Sequence, residues 1–281
     1  MTGAKSETIE DRQARVALAV SFALTSIVPL ATEDSQGLYC CGTGTLFQVG
    51  ARYFIITASH VCKRDLTSLF IPLHGDLTQR LACGFIKVVR TKNDREVDVA
   101  AIELSDLCIF GLIKNGYQFM GLDRIDLRGA ADPGLIVGYP KANYPFGGNG
   151  LIRPVTLQMP KISPPLDVDP PAIENLDKFY HYSRQAFKME GVGWTAAPSP
   201  ELEGVSGASV WCMLRPAGRW TPKEHFMITG IEIAYNHGSY TRVQSWWAVA
   251  KLLCFKNEDI AEQFSAKTLI SMDNLMGDEP N

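Results

Sequence analysis

Short runs rich in β-branched and aromatic residues, each closed by a turn, set the limits on what this chain can fold into. The clearest pair is 44–49 and 53–58, joined by Gly50-Ala51-Arg52. Two apolar runs around a glycine-led turn read as a β-hairpin. Further strands are expected at 69–73, 81–90, 99–104, 134–138, 226–234 and 240–244. Many short strands between glycine turns predict an all-β sandwich or barrel, not an alternating α/β sheet. A chain of 281 residues, 46% of them hydrophobic, can bury the core of one large domain or of two lobes.

Nine of the sixteen prolines fall between Pro133 and Pro171. Proline cannot donate to a sheet ladder, so 139–172 is expected to be mostly loop and sheet edge. Residues 16–31 read as a short helix leading into a first strand that lies within 22–31. Ser21, Thr25, Ser26 and Pro29 interrupt this run, and it is too short for a membrane span. Glu7, Glu10 and Asp11 offset Lys5, Arg12 and Arg15, unlike the basic start of a signal peptide. Secretion is therefore the minor alternative to a cytoplasmic location. After Trp246, the spacing of Trp247, Val249, Ala250, Leu252, Leu253 and Ile260 predicts one packed C-terminal helix over 246–265. Residues 272–281 read as a polar tail.

The net charge is −3 and no block of Lys or Arg occurs, so nothing calls for nucleic acid or a membrane surface. Seven cysteines without a Cys-x-x-Cys pair signal neither a disulfide framework nor a zinc site. All seven are expected to be thiols. The five histidines show no His-Glu-x-x-His spacing, and neither a metal nor a cofactor is expected.

Three short segments carry chemistry together. Thr57-Ala58-Ser59-His60-Val61 closes an apolar run, Val97-Asp98-Val99-Ala100-Ala101-Ile102 opens another, and Gly204-Val205-Ser206-Gly207 forms a glycine-bounded turn. Taken singly, each has a bland reading: a strand-end histidine, a turn aspartate, a turn serine. In order, they supply a nucleophile, a base and the carboxylate that orients the base. A hydroxyl needs both partners to react at neutral pH. The order His60, Asp98, Ser206 is that of chymotrypsin-like proteases. An α/β-hydrolase would carry glycine where Ala208 stands, and its histidine would follow the serine. Asp94 is the other acid near this motif.

The motifs resemble the trypsin/chymotrypsin family in its lean bacterial form, over roughly 22–260. Gly42-Thr43-Gly44-Thr45-Leu46-Phe47 resembles the family's opening strand, and Ile55-Ile56-Thr57-Ala58-Ser59-His60-Val61 its histidine motif. Asp98-Val99-Ala100-Ala101-Ile102 and Gly204-Val205-Ser206-Gly207 resemble the aspartate and serine motifs. Leu135-Ile136-Val137-Gly138-Tyr139-Pro140 resembles a turn of the second barrel. Ile228-Thr229-Gly230-Ile231-Glu232-Ile233 resembles the substrate-binding strand, and Gly238-Ser239-Tyr240-Thr241-Arg242-Val243 the ending before the terminal helix.

The resemblance implies one peptidase domain over 1–281. It would comprise two six-stranded antiparallel β-barrels, about 20–125 and 126–245, with a cleft between them and a C-terminal helix. It implies a serine endopeptidase acting on protein or peptide substrates, with His60, Asp98 and Ser206 catalytic. The N–H groups of Gly204 and Ser206 would hold the oxyanion. Ile231 and Ile233 would line the bound substrate backbone. Glu201, beside Pro200, would lie at the base of the first pocket, Glu203 at its mouth, and Gly238 would keep it open. Val205 stands where zymogens carry the Asp that pairs with a new N-terminus, so activation by N-terminal cleavage is not expected. Ala208 and Ser209 also depart from the usual Gly-Pro. A regulatory protein partner is an expectation that follows from the missing zymogen start and the long proline-rich loop. The alternative is a degenerate protease fold serving as a binding scaffold.

Overall fold

The computed structural model describes residues 8–34, 37–63, 66–91, 97–127, 134–143, 150–190, 193–214, 219–268 and 270–276. Helix α1 (Ile9–Leu24) starts in a capping box, in which the Thr8 hydroxyl accepts from Asp11 N–H and the Asp11 carboxylate accepts from Thr8 N–H. It runs further than the sequence suggests, so the first strand, β1 (Ile27–Asp34), starts at Ile27. The predicted hairpin forms from β2 (Gly37–Val49) and β3 (Arg52–Thr57), with Val49 opposite Arg52 and Gly50 at a φ of 58°.

The first sheet is completed by β4 (Phe70–Leu73), β5 (Asp76–Ala82), β6 (Phe85–Arg90) and β7 (Ala100–Leu104). Its order is β5-β4-β1-β2-β3-β7-β6, antiparallel throughout. The strand expected over 81–90 is broken in two, which makes seven strands among the described residues where six were expected. The break is at Cys83 and Gly84. Cys83 N–H donates to Leu69 O, and Gly84 O accepts from Ser105 N–H. A Cβ on Gly84 would meet the Ser105 hydroxyl at 2.5 Å. These two residues join strands at opposite edges of the sheet, so the sheet curls until its edges come together.

Helix α2 (Asp106–Lys114) follows β7. The second sheet contains β8 (Gly134–Gly138), β9 (Val155–Met159), β10 (Lys161–Ile162) and β11 (Asp177–His181). A separate hairpin, β12 (Gln185–Glu190) with β13 (Gly193–Pro198), follows. The second sheet then takes β14 (Ser209–Met213), and after the single turn α3 (Pro222–His225), β15 (Phe226–Asn236) and β16 (Tyr240–Ser245). Its order is β10-β11-β16-β15-β14-β8-β9. The edge strands β9 and β10 are separated by Pro160 alone, so this sheet curls in the same way. The proline-rich segment does supply sheet edges, as expected of residues that cannot donate to a ladder.

Three helices end the chain where one was expected: α4 (Trp246–Cys254), α5 (Glu258–Thr268) and α6 (Met272–Met276). Lys256, at a φ of 56°, breaks the first from the second. Helix α6 replaces the polar tail over 272–276, because Leu275 is buried there. Residues 277–281 lie outside the described residues.

One continuous core joins the two sheets through the helices. Phe47 of β2 meets Trp246 of α4 edge-on, with ring centroids 5.4 Å apart. Phe22 of α1 meets Trp211 of β14 at 6.2 Å, and Trp211 stacks on Phe226 at 4.6 Å. Such contacts add to the burial of large aromatic area. Among the described residues no helix is long and apolar enough to cross a membrane.

Candidate active site

Strand β7 pairs antiparallel with β3, and Ala100 stands opposite Thr57. The residues before Ala100 therefore run alongside those after Thr57, which brings Asp98 to His60. Buried Val97 and Val99 anchor the loop on either side of Asp98. After β3 the chain tightens into a 3-10 turn, Ser59–Lys63, that carries His60 outward. Asp98 then grips this turn twice. Oδ2 lies 2.5 Å from His60 Nδ1, and Oδ1 accepts from His60 N–H at 2.8 Å. Ring and main chain are both held by the one carboxylate, through Nδ1 and N–H, so Nε2 is outside this grip. The His60 side chain is 40% exposed while that of Asp98 is 10% exposed, so His60 is reachable from solvent and Asp98 is not. Asp98 N–H donates in turn to Gln244 Oε1 on β16 at 2.8 Å, which links the pair to the second sheet. Asp94 lies outside the described residues.

Ser206 sits in a doubly turned loop before β14. Val205 N–H donates to Leu202 O and Ala208 N–H to Val205 O, both at 2.8 Å. Gly204 and Gly207 have φ of 90° and 91°, a region that favours glycine. A Cβ on Gly207 would lie 2.2 Å from Thr43 O and from Thr57 Oγ1, so the loop presses directly onto β2 and β3. Thr43 is the clamp. Its N–H donates to Ser206 O at 2.9 Å and its hydroxyl to Gly204 O at 3.1 Å, while the same hydroxyl accepts from Tyr139 N–H at 3.0 Å. A Cβ on Gly42 would meet Val61 at 2.7 Å and Ser206 O at 3.1 Å. The turns carrying His60 and Ser206 thus pack on the same bare patch of β2. Among the described residues no hydrogen bond joins His60 and Ser206.

The Gly204 amide is aimed by its neighbour. Lys141 N–H donates to Glu203 O at 2.5 Å. In a trans peptide the carbonyl and the following N–H point in opposite directions, so Gly204 N–H faces away from Lys141. Among the described residues neither Gly204 N–H nor Ser206 N–H donates to a protein acceptor. Val205 is fully buried against Ile136, Leu202 and Val210, an apolar nest with no place for a paired charge.

The residues expected to bind substrate are placed unevenly. Ile231 has both edges occupied, by Ser209 of β14 and Gln244 of β16, so it is core and leaves no edge for a substrate. Glu232 is likewise used on both sides. At Ile233 the register with β16 shifts, and from there to Asn236 the β15 ladder has β16 alone as its partner among the described residues. Glu201, expected at the base of the first pocket, and Glu203, expected at its mouth, both face solvent. They are 59% and 67% exposed and already paired, Glu201 with the Tyr235 hydroxyl at 2.9 Å and His237 at 3.3 Å, Glu203 with Lys141 Nζ at 2.8 Å. Gly238 does give space, at a φ of 83°, but the Arg184 side chain takes it, 2.5 Å from where a Cβ would stand.

Three residues of the site escaped the sequence reading: Thr43, Gln244 and Glu232. Glu232 has the clearest signal, being the one acidic residue in the apolar run 226–234. It is fully buried, and its carboxyl is pushed up to about 8. Burial is the main cause and the Asp98 charge adds to it, while the Thr241 and Ser206 hydroxyls pull the other way. Among the described residues no group of three or more His, Cys, Asp or Glu side chains is placed to hold a metal ion.

No family model matches this chain, and no curated protein matches it. One similar solved structure comes from work on how aromatic interactions drive the coupled folding and binding of the intrinsically disordered Sesbania mosaic virus VPg protein. It covers 83% of this chain and 92% of its own, at 13% identity and a TM-score of 0.49.

Proposed function

We propose that the chain is a serine endopeptidase of chymotrypsin-like architecture, acting through His60, Asp98 and Ser206. The observation that carries this reading is the double grip of Asp98 on His60, beside a nucleophile turn clamped to the same strand corner. Ser206 Oγ attacks the substrate carbonyl as His60 Nε2 takes its proton. His60 then protonates the leaving amine, and water repeats the sequence on the acyl-enzyme. Asp98 holds the Nδ1–H tautomer and stabilises the imidazolium. The N–H groups of Gly204 and Ser206 donate to the oxyanion, each worth about 3 kcal/mol in the transition state. The open edge of β15 over 233–236 accepts an extended peptide by strand addition. In unliganded enzymes the bond from base to nucleophile is often long and tightens with substrate.

A reducing compartment belongs to the same reading, as does a regulatory protein docking near the loop from Pro140 to Pro171. The missing bond between His60 and Ser206 is the one observation that favours the second reading, a catalytically degenerate scaffold. A fluorophosphonate probe separates the two. An active serine labels in the full chain and not in Ser206→Ala. Absence of labelling across pH 6–9, with no cleavage of a peptide library, would leave the scaffold.

A further inference from the structure

Strand β15 runs directly under the nucleophile turn. The Glu232 carbonyl accepts from Gly207 N–H at 2.7 Å, and Glu232 N–H donates to Ala208 O at 2.8 Å. The side chain is wholly out of solvent, and Ser206 and Asp98 both act on its charge. One oxygen, Oε1, accepts a long bond from Thr241 Oγ1 at 3.4 Å. The other, Oε2, is buried and has no partner of full hydrogen-bond geometry among the described residues. A buried polar atom left unpaired costs about 1–3 kcal/mol, which valine or leucine at this position would avoid.

The surroundings restrict what this carboxyl can do. The Asp98 charge, in the loop before β7, opposes ionisation of Glu232, and the Glu232 charge in turn opposes ionisation of Tyr182, in the loop after β11. Strand β16 contributes the Thr241 hydroxyl. Its neighbour Arg242 is committed elsewhere, with the guanidinium 2.5 Å from Asp177. The nucleophile turn contributes the Ser206 hydroxyl. No cation is among the groups that shift Glu232, and burial therefore keeps it neutral.

Resting on the serine-nucleophile reading above, we propose that Glu232 is a positioning residue for Ser206. In its neutral form it donates its carboxyl hydrogen to Ser206 Oγ, which leaves the Ser206 hydrogen for His60. In its ionised form it accepts that hydrogen and draws the hydroxyl away from His60. A carboxylic acid is a good donor, and a carboxylate accepts only. The direction of the contact therefore reverses with one proton. With an ordinary general base, activity rises with pH and then levels off. Here a falling limb follows as Glu232 ionises.

Two measurements on the full chain test this. In protein carrying carboxyl-labelled glutamate, NMR should show one glutamate titrating near pH 8, its signal absent in Glu232→Gln. Ser206→Ala removes a hydroxyl that stabilises the carboxylate and should move that titration up by about half a unit. No glutamate titrating above pH 7, or a midpoint unmoved by Ser206→Ala, would overturn the proposal. The second measurement is kcat/KM against pH with a peptide substrate. The unmodified chain should lose about tenfold per pH unit above its limb near pH 8, while Glu232→Gln stays level. A limb that survives in Glu232→Gln would overturn the proposal, as would an unmodified chain that stays level. Where Glu232→Gln does not fold, Thr241→Val replaces it, and its limb should move to higher pH. Should every variant prove inactive, the hydrolase reading fails, while the glutamate titration still decides whether Glu232 and Ser206 are coupled.

Discussion

Asp98 makes two hydrogen bonds to one residue, and this determines what its loss would do. Asp98→Asn keeps the shape but offers an amide where the His60 ring donates, so the ring is held in the wrong tautomer. Hydrolysis near neutral pH should fall about four decades with the melting temperature little changed. Ser206→Ala should remove about four to six decades of rate and leave the fold intact. Gly207→Ala is a different kind of change. Its Cβ would stand 2.2 Å from the Thr43 carbonyl, at a φ that side chains resist. Urea unfolding should show a loss of at least about 2 kcal/mol. If Gly207→Ala proved as stable as the unmodified chain, the packing of the nucleophile turn on β2 would be wrong. The three candidate residues were legible because His60 closes one apolar run, Asp98 opens another and Ser206 sits in a glycine-bounded turn. The partners of Glu201 and Glu203 were not legible, because charge in a sequence does not reveal a partner. Each has one, in Tyr235 with His237 and in Lys141.

At the scale of elements, the strands that alternate with glycine turns were readable, and those built by pairing were not. β5 and β6 look like one run until Gly84 turns the chain from one sheet edge to the other. Helix α2 escaped because its sequence is apolar on every side. Leu107, Phe110 and Ile113 are 84%, 66% and 53% exposed, while Cys108 and Leu112 are buried. The two-residue β10 carries no pattern of its own and exists only through Tyr180 and Phe179. β1 lies between β4 and β2. A chain beginning near Asp34 loses it and should be unfolded and inactive. One beginning near Val16 keeps β1 and should stay folded. Circular dichroism with labelling by the serine probe checks both, and activity confined to the shorter version would contradict the account of activation.

Across the whole molecule, Glu232 links the site to stability. Its carboxyl ionises from an ordinary 4.5 when unfolded and at about 8 when folded. Between these values the folded state holds a proton that the unfolded state has lost. Stability is therefore highest below pH 4.5 and declines up to about pH 8, by about 1.4 kcal/mol per pH unit from this group. Glu232→Gln should gain stability over the unmodified chain far more at pH 8 than at pH 5, as read by denaturant unfolding at both. No disulfide joins any of the seven cysteines. A thiol count under denaturing, non-reducing conditions should return seven, and five or fewer would indicate an oxidising compartment. From its sequence alone this protein could be read as a two-lobed β structure with its His, Asp and Ser in order, because hydrophobic periodicity and glycine placement are local. The curl of each sheet, the Thr43 clamp, the Gln244 link and the burial of Glu232 were decided only in three dimensions. Each depends on residues far apart in the chain that meet when two curled sheets pack, and no local pattern records that meeting.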